Sequence, residues 1–267
     1  MTNKNNTTAD PDNPALYEFK KPPAPSQSEK EEQVENVWDE RLRLANESHS
    51  PTSEFIRRLR SHLLHSDNKP RTLLVTSIMP GEGKGFVCAN LGIALSQDME
   101  HHVLLLDCDL RRPTLAQLFG VPNESGITEY LQKSNAPAPT MKKTGQPKLF
   151  LIPSGPPPEN PSELISSAKM TAFVNKLAEY SPDRIILVDS PPSSFAAETM
   201  VLAKHLDGVI LVIRSGVAPK EEVKKFVDTI GRKKIRGIVY NAKPEDRVQS
   251  LMYRAKGYKY GYGYGYY

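Results

Sequence analysis

Six short apolar runs restrict this chain to very few folds. They are TLLVTS (72–77), VLLLDC (103–108), KLFLIP (148–153), IILVDS (185–190), VILVIR (209–214) and IRGIVY (235–240). They are rich in Val, Ile and Leu and lack polar–apolar alternation, which is how strands buried on both faces of a parallel sheet read. Helical patterns separate most of them, over about 84–97, 162–180 and 219–230. Alternating strands and helices imply right-handed crossovers and an α/β, doubly wound, mostly parallel sheet. Such sheets hold ligands at the carboxyl ends of their strands. The informative residues are therefore expected just after the apolar runs.

Upstream of the first run the pattern is different. Residues 1 to about 35 are polar and proline-bearing, with KKPPAPSQSEKEE at 20–32, and read as disordered or as a linker. Residues 37–44 read as a short helix, and Trp38 is placed outside the core. Ser50 before Pro51 is an N-cap signal. Phe55, Ile56, Leu59, Leu63 and Leu64 then recur at helical spacing over about 52–65. The expected organisation is a disordered or partly helical segment 1–50, a domain over 51–245 and a flexible tail over 246–267.

Composition excludes some classes. With 267 residues and 38% hydrophobic content, the chain holds one large α/β domain or two small ones, with part of its length outside any core. A net charge of +4 spread over this length says little about partners. No run of about 18 apolar residues predicts a transmembrane helix, and MTNKNNTTADPDNP lacks the apolar stretch of a signal peptide. Cys88 and Cys108 make no disulfide framework and read as small core residues in a reducing, cytoplasmic setting. His101 and His102 read as surface residues without ligand partners nearby in sequence.

The residues after the strands carry the chemistry. Pro80-Gly81-Glu82-Gly83-Lys84-Gly85 lies between the first strand and the helix pattern FVCANLGIALS. That is the strand–glycine loop–helix context of a P-loop. Backbone N–H groups at Gly81 and Gly83 can turn toward phosphate oxygens, the helix N-terminus adds partial positive charge, and Lys84 reaches the β- and γ-phosphates. The general pattern G-x4-G-K-[ST] has glycine where Ile78 stands and Ser or Thr where Gly85 stands. The second departure removes a hydroxyl that ordinarily ligates Mg²⁺. Asp107 and Asp109 end the second run at spacing i, i+2. Clustered carboxylates beside phosphates serve as metal ligands or as a general base. Asp189 ends the fourth run in the position of a Walker B aspartate that holds Mg²⁺ through water.

The chain finishes GYKYGYGYGYY, and residues 253–267 hold seven of its eleven tyrosines. Glycine at nearly every other position rules out a stable strand. The stretch reads as a tail whose tyrosines act through hydroxyls or rings: a phosphate-acceptor tail, a sticky low-complexity tail, or a nucleic-acid arm using stacking and Arg254, Lys256 and Lys259.

Taken together, PGEGKG, VLLLDCDLRRPTLAQLFGVPNESGITEYL (103–131), LIPSGPPPENPSELISSAKM (151–170), ILVDSPPS (186–193), DGVILVIRSG (207–216) and GIVYNA (237–242) resemble the bacterial tyrosine autokinases of exopolysaccharide and capsule export. Those belong to the P-loop NTPase class of MinD and ParA. The resemblance covers roughly 50–245 plus the tail. It implies ATP and Mg²⁺ as cofactors, with Lys84 on the phosphates and Asp107, Asp109 and Asp189 organising the metal. One of Asp107 and Asp109 would take the acceptor's proton. Arg111 and Arg112 would position phosphate or acceptor, or form a structural salt bridge, and Asn241 would meet the adenine. Tyr258, Tyr260, Tyr262, Tyr264, Tyr266 and Tyr267 would be acceptors phosphorylated in trans. Glu54, Arg57 and Arg60 match an E-x-x-R-x-x-R pattern through which such domains pack into a homo-oligomeric ring. A separate transmembrane chain-length determinant would recruit the cytoplasmic kinase to the inner face of the plasma membrane; no direct nucleic-acid partner is implied. Two other readings stand beside this one. Gly85 suits a weakly active or inactive nucleotide-dependent scaffold. A MinD- or ParA-like switch ATPase shares the motifs, although Met79 stands where its early P-loop lysine would be.

Overall fold

Each apolar run is a strand: the first five are buried between two helical layers, and the sixth, over 235–240, is a half-exposed edge strand with Ile238 and Tyr240 open to solvent. The computed structural model describes residues 37–47, 50–66, 69–180 and 183–242. Expectations for 1–36 and for the tail, with Tyr258, Tyr260, Tyr262, Tyr264, Tyr266 and Tyr267, lie outside the described residues. Strands β1 (Thr72–Ser77), β2 (His102–Asp107), β3 (Lys142–Lys143), β4 (Leu149–Ile152), β5 (Arg184–Asp189), β6 (Gly208–Arg214) and β7 (Ile235–Asn241) form one sheet. Its order is β3-β4-β2-β5-β1-β6-β7. All neighbours are parallel except β3 against β4. The six expected runs match β1, β2 and β4–β7 to within one residue at each end.

Alternate strand residues go to opposite layers, as the period of two requires. Leu73, Val75, Leu105, Leu187 and Ile210 pack with α1 (Glu40–Ala45), α2 (Pro51–Leu64), α3 (Lys84–Ser96) and α4 (Leu115–Phe119). Leu74, Leu104, Ile186, Val188 and Leu211 pack with α5 (Ile127–Gln132), α6 (Pro161–Ile165), α7 (Ala168–Tyr180), α8 (Ala197–His205) and α9 (Lys220–Ile230). Helix α3 is the central crossover and is buried almost all round. No helix among the described residues is long and apolar enough to cross a membrane.

Four details differ from the sequence expectations. The pattern over 162–180 is two helices, because Ser167 interrupts it: its hydroxyl donates to the Leu164 carbonyl at 2.7 Å and accepts from the Met170 N–H at 3.1 Å. Such local side-chain bonds compete with a continuous helix and cap a new one. Ser50 does begin α2, yet its side chain makes no capping bond; its carbonyl accepts from the Ser53 hydroxyl and the Glu54 N–H. His101 is not partnerless, since its Nδ1 lies 2.7 Å from Asp98 Oδ1. Trp38 is in the core, not outside it. Its indole N–H donates to the Thr144 carbonyl at 2.6 Å, and its ring meets Phe119 edge-on at 5.6 Å between centroids. Packing therefore begins with Trp38 and Leu42, before position 51.

Candidate active site

The sheet order decides which strand ends meet. β5 lies between β1 and β2, so the P-loop after β1 and the aspartates after β2 flank Asp189 from either side. Asp107 and Asp189 are register partners on neighbouring parallel strands. Both are fully buried, and Asp109 nearly so.

The P-loop is held from beneath by a buried acid. The Glu82 side chain has no solvent exposure. Its Oε2 accepts from the Met79 N–H at 2.7 Å and its Oε1 from the Arg214 N–H at 2.9 Å. Glu82 thus folds the loop over itself and ties it to the end of β6, and only its backbone is left to face a phosphate. Asn241 is the last residue of β7, and its amide Nδ2 donates to the Glu82 carbonyl at 2.8 Å. Gly83 has φ of 90°, a conformation that costs a side chain about 1 kcal/mol or more. A Cβ there would also collide with Asn241 Nδ2.

Lys84 opens α3 and points into the acids. Its Nζ is 2.6 Å from Asp109 Oδ2 and 3.6 Å from Asp189 Oδ2. Asp109 Oδ1 accepts from the Arg112 N–H at 3.1 Å. Asp107 Oδ2 accepts from the N–H groups of Thr114 and Leu115 at 3.1 and 3.0 Å. Burial pushes the Asp107 carboxyl up to about 8, with Asp189 adding to the rise and the Leu115 N–H opposing it. Burial also raises Asp189, to about 6, against the pull of Lys84. Burial works against the Lys84 charge as well, but Asp189, Asp109 and Asp107 outweigh it and hold the ammonium above the ordinary lysine range.

Three carboxylates therefore face one ammonium in a site almost closed to water. Asp107 Oδ1 and both Asp189 oxygens are buried and have no hydrogen-bond partner among the described residues. Buried carboxylate oxygens rarely stay that way. The surplus of negative charge and the hard oxygen donors fit a divalent cation of the Mg²⁺ type.

The expected site residues Lys84, Asp107, Asp109 and Asp189 are thus brought together with the P-loop backbone. Arg111 is directed elsewhere: its Nη2 donates to the Ser162 hydroxyl at 2.6 Å and lies 3.4 Å from the buried Glu198 carboxylate. That is the salt-bridge alternative for Arg111, linking the β2 exit to α6 and α8. On α2, Glu54 pairs with Arg57 and Arg58 at 3.5 Å each, and Arg60 donates to the Ala94 carbonyl of α3 at 3.1 Å. Two features escaped the sequence reading. One is the bracing role of Glu82. The other is Thr114, whose only signal was its place as an N-cap before LAQLF.

No family model matches the chain. It is 33% identical over 202 residues to tyrosine-protein kinase YwqD of Bacillus subtilis (strain 168), which spans 74% of this chain and 84% of that one. The chain belongs to the bacterial tyrosine-protein kinases. It is 31% identical over 212 residues to tyrosine-protein kinase wzc of Salmonella typhimurium, where the match spans 28% of a much longer protein. Among solved structures, the chimerical protein CapA2B2 superposes with a TM-score of 0.68 at 30% identity, covering 76% of this kinase and 90% of that chain. The kinase domain of Escherichia coli tyrosine kinase ETK also gives 0.68, at 27% identity and with coverages of 84% and 85%. The fold alone extends to cobyrinic acid a,c-diamide synthase of Mycobacterium smegmatis, solved with an ATP analog and magnesium, at a TM-score of 0.52 and 19% identity over 71% of this kinase and 83% of that chain.

Proposed function

We propose that this protein transfers the γ-phosphoryl group of Mg·ATP to tyrosines of its own C-terminal cluster, between copies assembled in a ring, and so regulates exopolysaccharide polymerisation and export. The convergence of Lys84 with Asp107, Asp109 and Asp189 beneath a P-loop carries this reading. It is the donor set a phosphoryl transfer needs, since such catalysis is mostly positioning plus charge stabilisation. The P-loop N–H groups and Lys84 bind and orient the phosphates. Asp107 through Oδ1 and Asp189, whose oxygens there accept no hydrogen bond among the described residues, would hold Mg²⁺, with Asp109 beside them. Bound there, Mg²⁺ neutralises charge developing on the transferred group.

A tyrosine hydroxyl has a pKa of about 10 and needs help to lose its proton. Asp109 is the carboxylate suited to accept it. It lies at the rim of the cluster, and Lys84 at 2.6 Å is able to release it once phosphates compete for the ammonium. The alternation of glycine and tyrosine suits an acceptor that enters a foreign cleft in extended form. Each phosphate would add about −1.5 to −2 charges and turn the basic tail acidic, which weakens contacts between neighbouring copies. A transmembrane chain-length determinant is the partner we assign, recruiting the kinase to the inner face of the membrane. The match to a segment of the much longer wzc supports a domain that works beside further segments.

Incubation of the full-length protein with Mg·ATP, with and without the cytoplasmic segment of a candidate adaptor, tests the reading by peptide mass spectrometry. Phosphate is expected within Tyr258–Tyr267. Replacing those tyrosines by phenylalanine should remove most of it. Bound ATP with no phosphate on any tyrosine under either condition would instead favour the nucleotide-dependent scaffold.

A further inference from the structure

Position 85 is where a P-loop of the general pattern carries its hydroxyl, and here it is glycine. The space is not empty. A Cβ built on Gly85 would run into Thr114 Oγ1 at less than van der Waals separation, and would lie 3.4 Å from Thr114 Cβ and 3.3 Å from Asp189 Oδ2. One threonine hydroxyl, from the turn between β2 and α4, therefore occupies the place that a side chain on α3 would take. Asp189 Oδ2 borders the same place; it accepts no hydrogen bond among the described residues and lies 3.6 Å from the Lys84 ammonium.

The hydroxyl itself is buried and has no hydrogen-bond partner among the described residues. A buried hydroxyl without a partner costs about 1–3 kcal/mol, so a ligand that accepts its lone pair is the natural resolution. Thr114 is held in place by the cluster it would serve, because its N–H donates to Asp107 Oδ2 at 3.1 Å. The Asp107 carboxylate thus offers one oxygen to the Thr114 backbone and leaves the other, Oδ1, unpartnered in the site.

We propose that Thr114 supplies to Mg²⁺ the hydroxyl ligand that this P-loop lacks at position 85. The ligand has moved from the helix that follows the phosphate loop to the turn that follows the paired aspartates, and Gly85 is the residue that makes room for it. This rests on the nucleotide site described above. It also changes the meaning of Gly85: a serine there does not simply restore a missing group, because two side chains would compete for one volume.

The test is nucleotide binding to the full-length protein by isothermal titration calorimetry with ADP, with Mg²⁺ and with EDTA, beside a melting curve for each variant. The quantity read is the gain in affinity that Mg²⁺ confers. Thr114→Ala and the near-isosteric Thr114→Val should each lose about tenfold or more of that gain, the scale on which groups around bound metals act. Thr114→Ser should keep it within about threefold. The affinity measured with EDTA should stay within about twofold in the three Thr114 single variants, which a merely disturbed fold would not allow. Gly85→Ser in the Thr114→Ala background should restore most of the gain, whereas in the wild-type background it should add nothing. Such non-additivity is what two groups competing for one position produce. Wild-type Mg²⁺ dependence in both Thr114→Ala and Thr114→Val, or additive effects at 85 and 114, would overturn the assignment and leave the kinase reading intact. Absence of Mg²⁺-dependent nucleotide binding by the wild type would overturn both.

Discussion

Replacing Lys84 by alanine is expected to reduce tyrosine phosphorylation by at least about a thousandfold, in line with the loss of a cation that stabilises a transferring phosphoryl group. It should also weaken the fold, which a pure active-site variant would not. Lys84 is the ammonium set against three buried carboxylates, 2.6 Å from Asp109 and 3.6 Å from Asp189. Removing one partner of a buried ion pair costs roughly 3–5 kcal/mol when the remaining charge cannot escape. Here part of the cost can be relieved by protonation, since Asp107 and Asp189 already lean toward their neutral forms. The destabilisation should therefore be larger at pH 8 than at pH 5.5. Millimolar Mg²⁺ should recover much of the melting temperature and none of the activity. A variant that melts like the wild type at pH 8 without Mg²⁺ would show that the ammonium does not compensate the acids.

Asp107→Asn is expected to abolish activity and yet stabilise the nucleotide-free protein. Folding raises the Asp107 carboxyl from its ordinary value of 3.8 to about 8. The folded state then binds more protons than the unfolded one across that interval, so the contribution of this group to stability is present below about pH 4 and lost as pH rises through about 8. Asp189, raised to about 6, adds a loss of the same sign over a lower range. Wild-type melting temperature measured without Mg²⁺ should accordingly fall between pH 5.5 and 8.5. Asparagine keeps an oxygen for the Thr114 and Leu115 N–H groups and carries no charge. It should flatten that fall and raise the melting temperature at pH 8 by about 5 °C, taking ~2–4 °C per kcal/mol for a domain of this size. An unchanged slope in the variant would mean that Asp107 is ionised at no cost in the folded state.

The order of legibility has physical causes. The strands were readable because a run buried on both faces needs no partner's identity to announce itself, and β5 is buried at every position. Asp107 and Asp189 were readable because each closes such a run, Asp109 because it comes directly after one, and Lys84 because it sits in the glycine loop between the first run and its helix. What could not be read was contact across long sequence separation. Trp38 looks like a stray aromatic until Thr144 and Phe119 close around it. Glu82 looks like a loop carboxylate open to a ligand, but the N–H of Arg214, 132 residues away, claims it. The short helices α4 and α5, of 5 and 6 residues, are too brief for a periodic pattern, and Thr114 sits at the head of one of them. The loss of a hydroxyl at position 85 was plain in the sequence. The group filling its place was not, because it comes from the far side of a strand.

The register of β2 against β5 has one further consequence. Asp107 and Asp189 are paired through their Cα positions in the hydrogen-bonded ladder, so their separation is inherited from the pitch of a sheet, about 4.8 Å between strands. No loop sets it, and no loop motion can change it. Lys84, Asp109 and Thr114 stand on turns and helix starts, and their positions can drift as those segments differ or move. The site is thus a fixed gauge with adjustable jaws. Substitutions that remodel the loops around β1 and β2 can retune what is clasped and how tightly, while the two anchoring carboxylates keep their span for as long as the sheet stays in register.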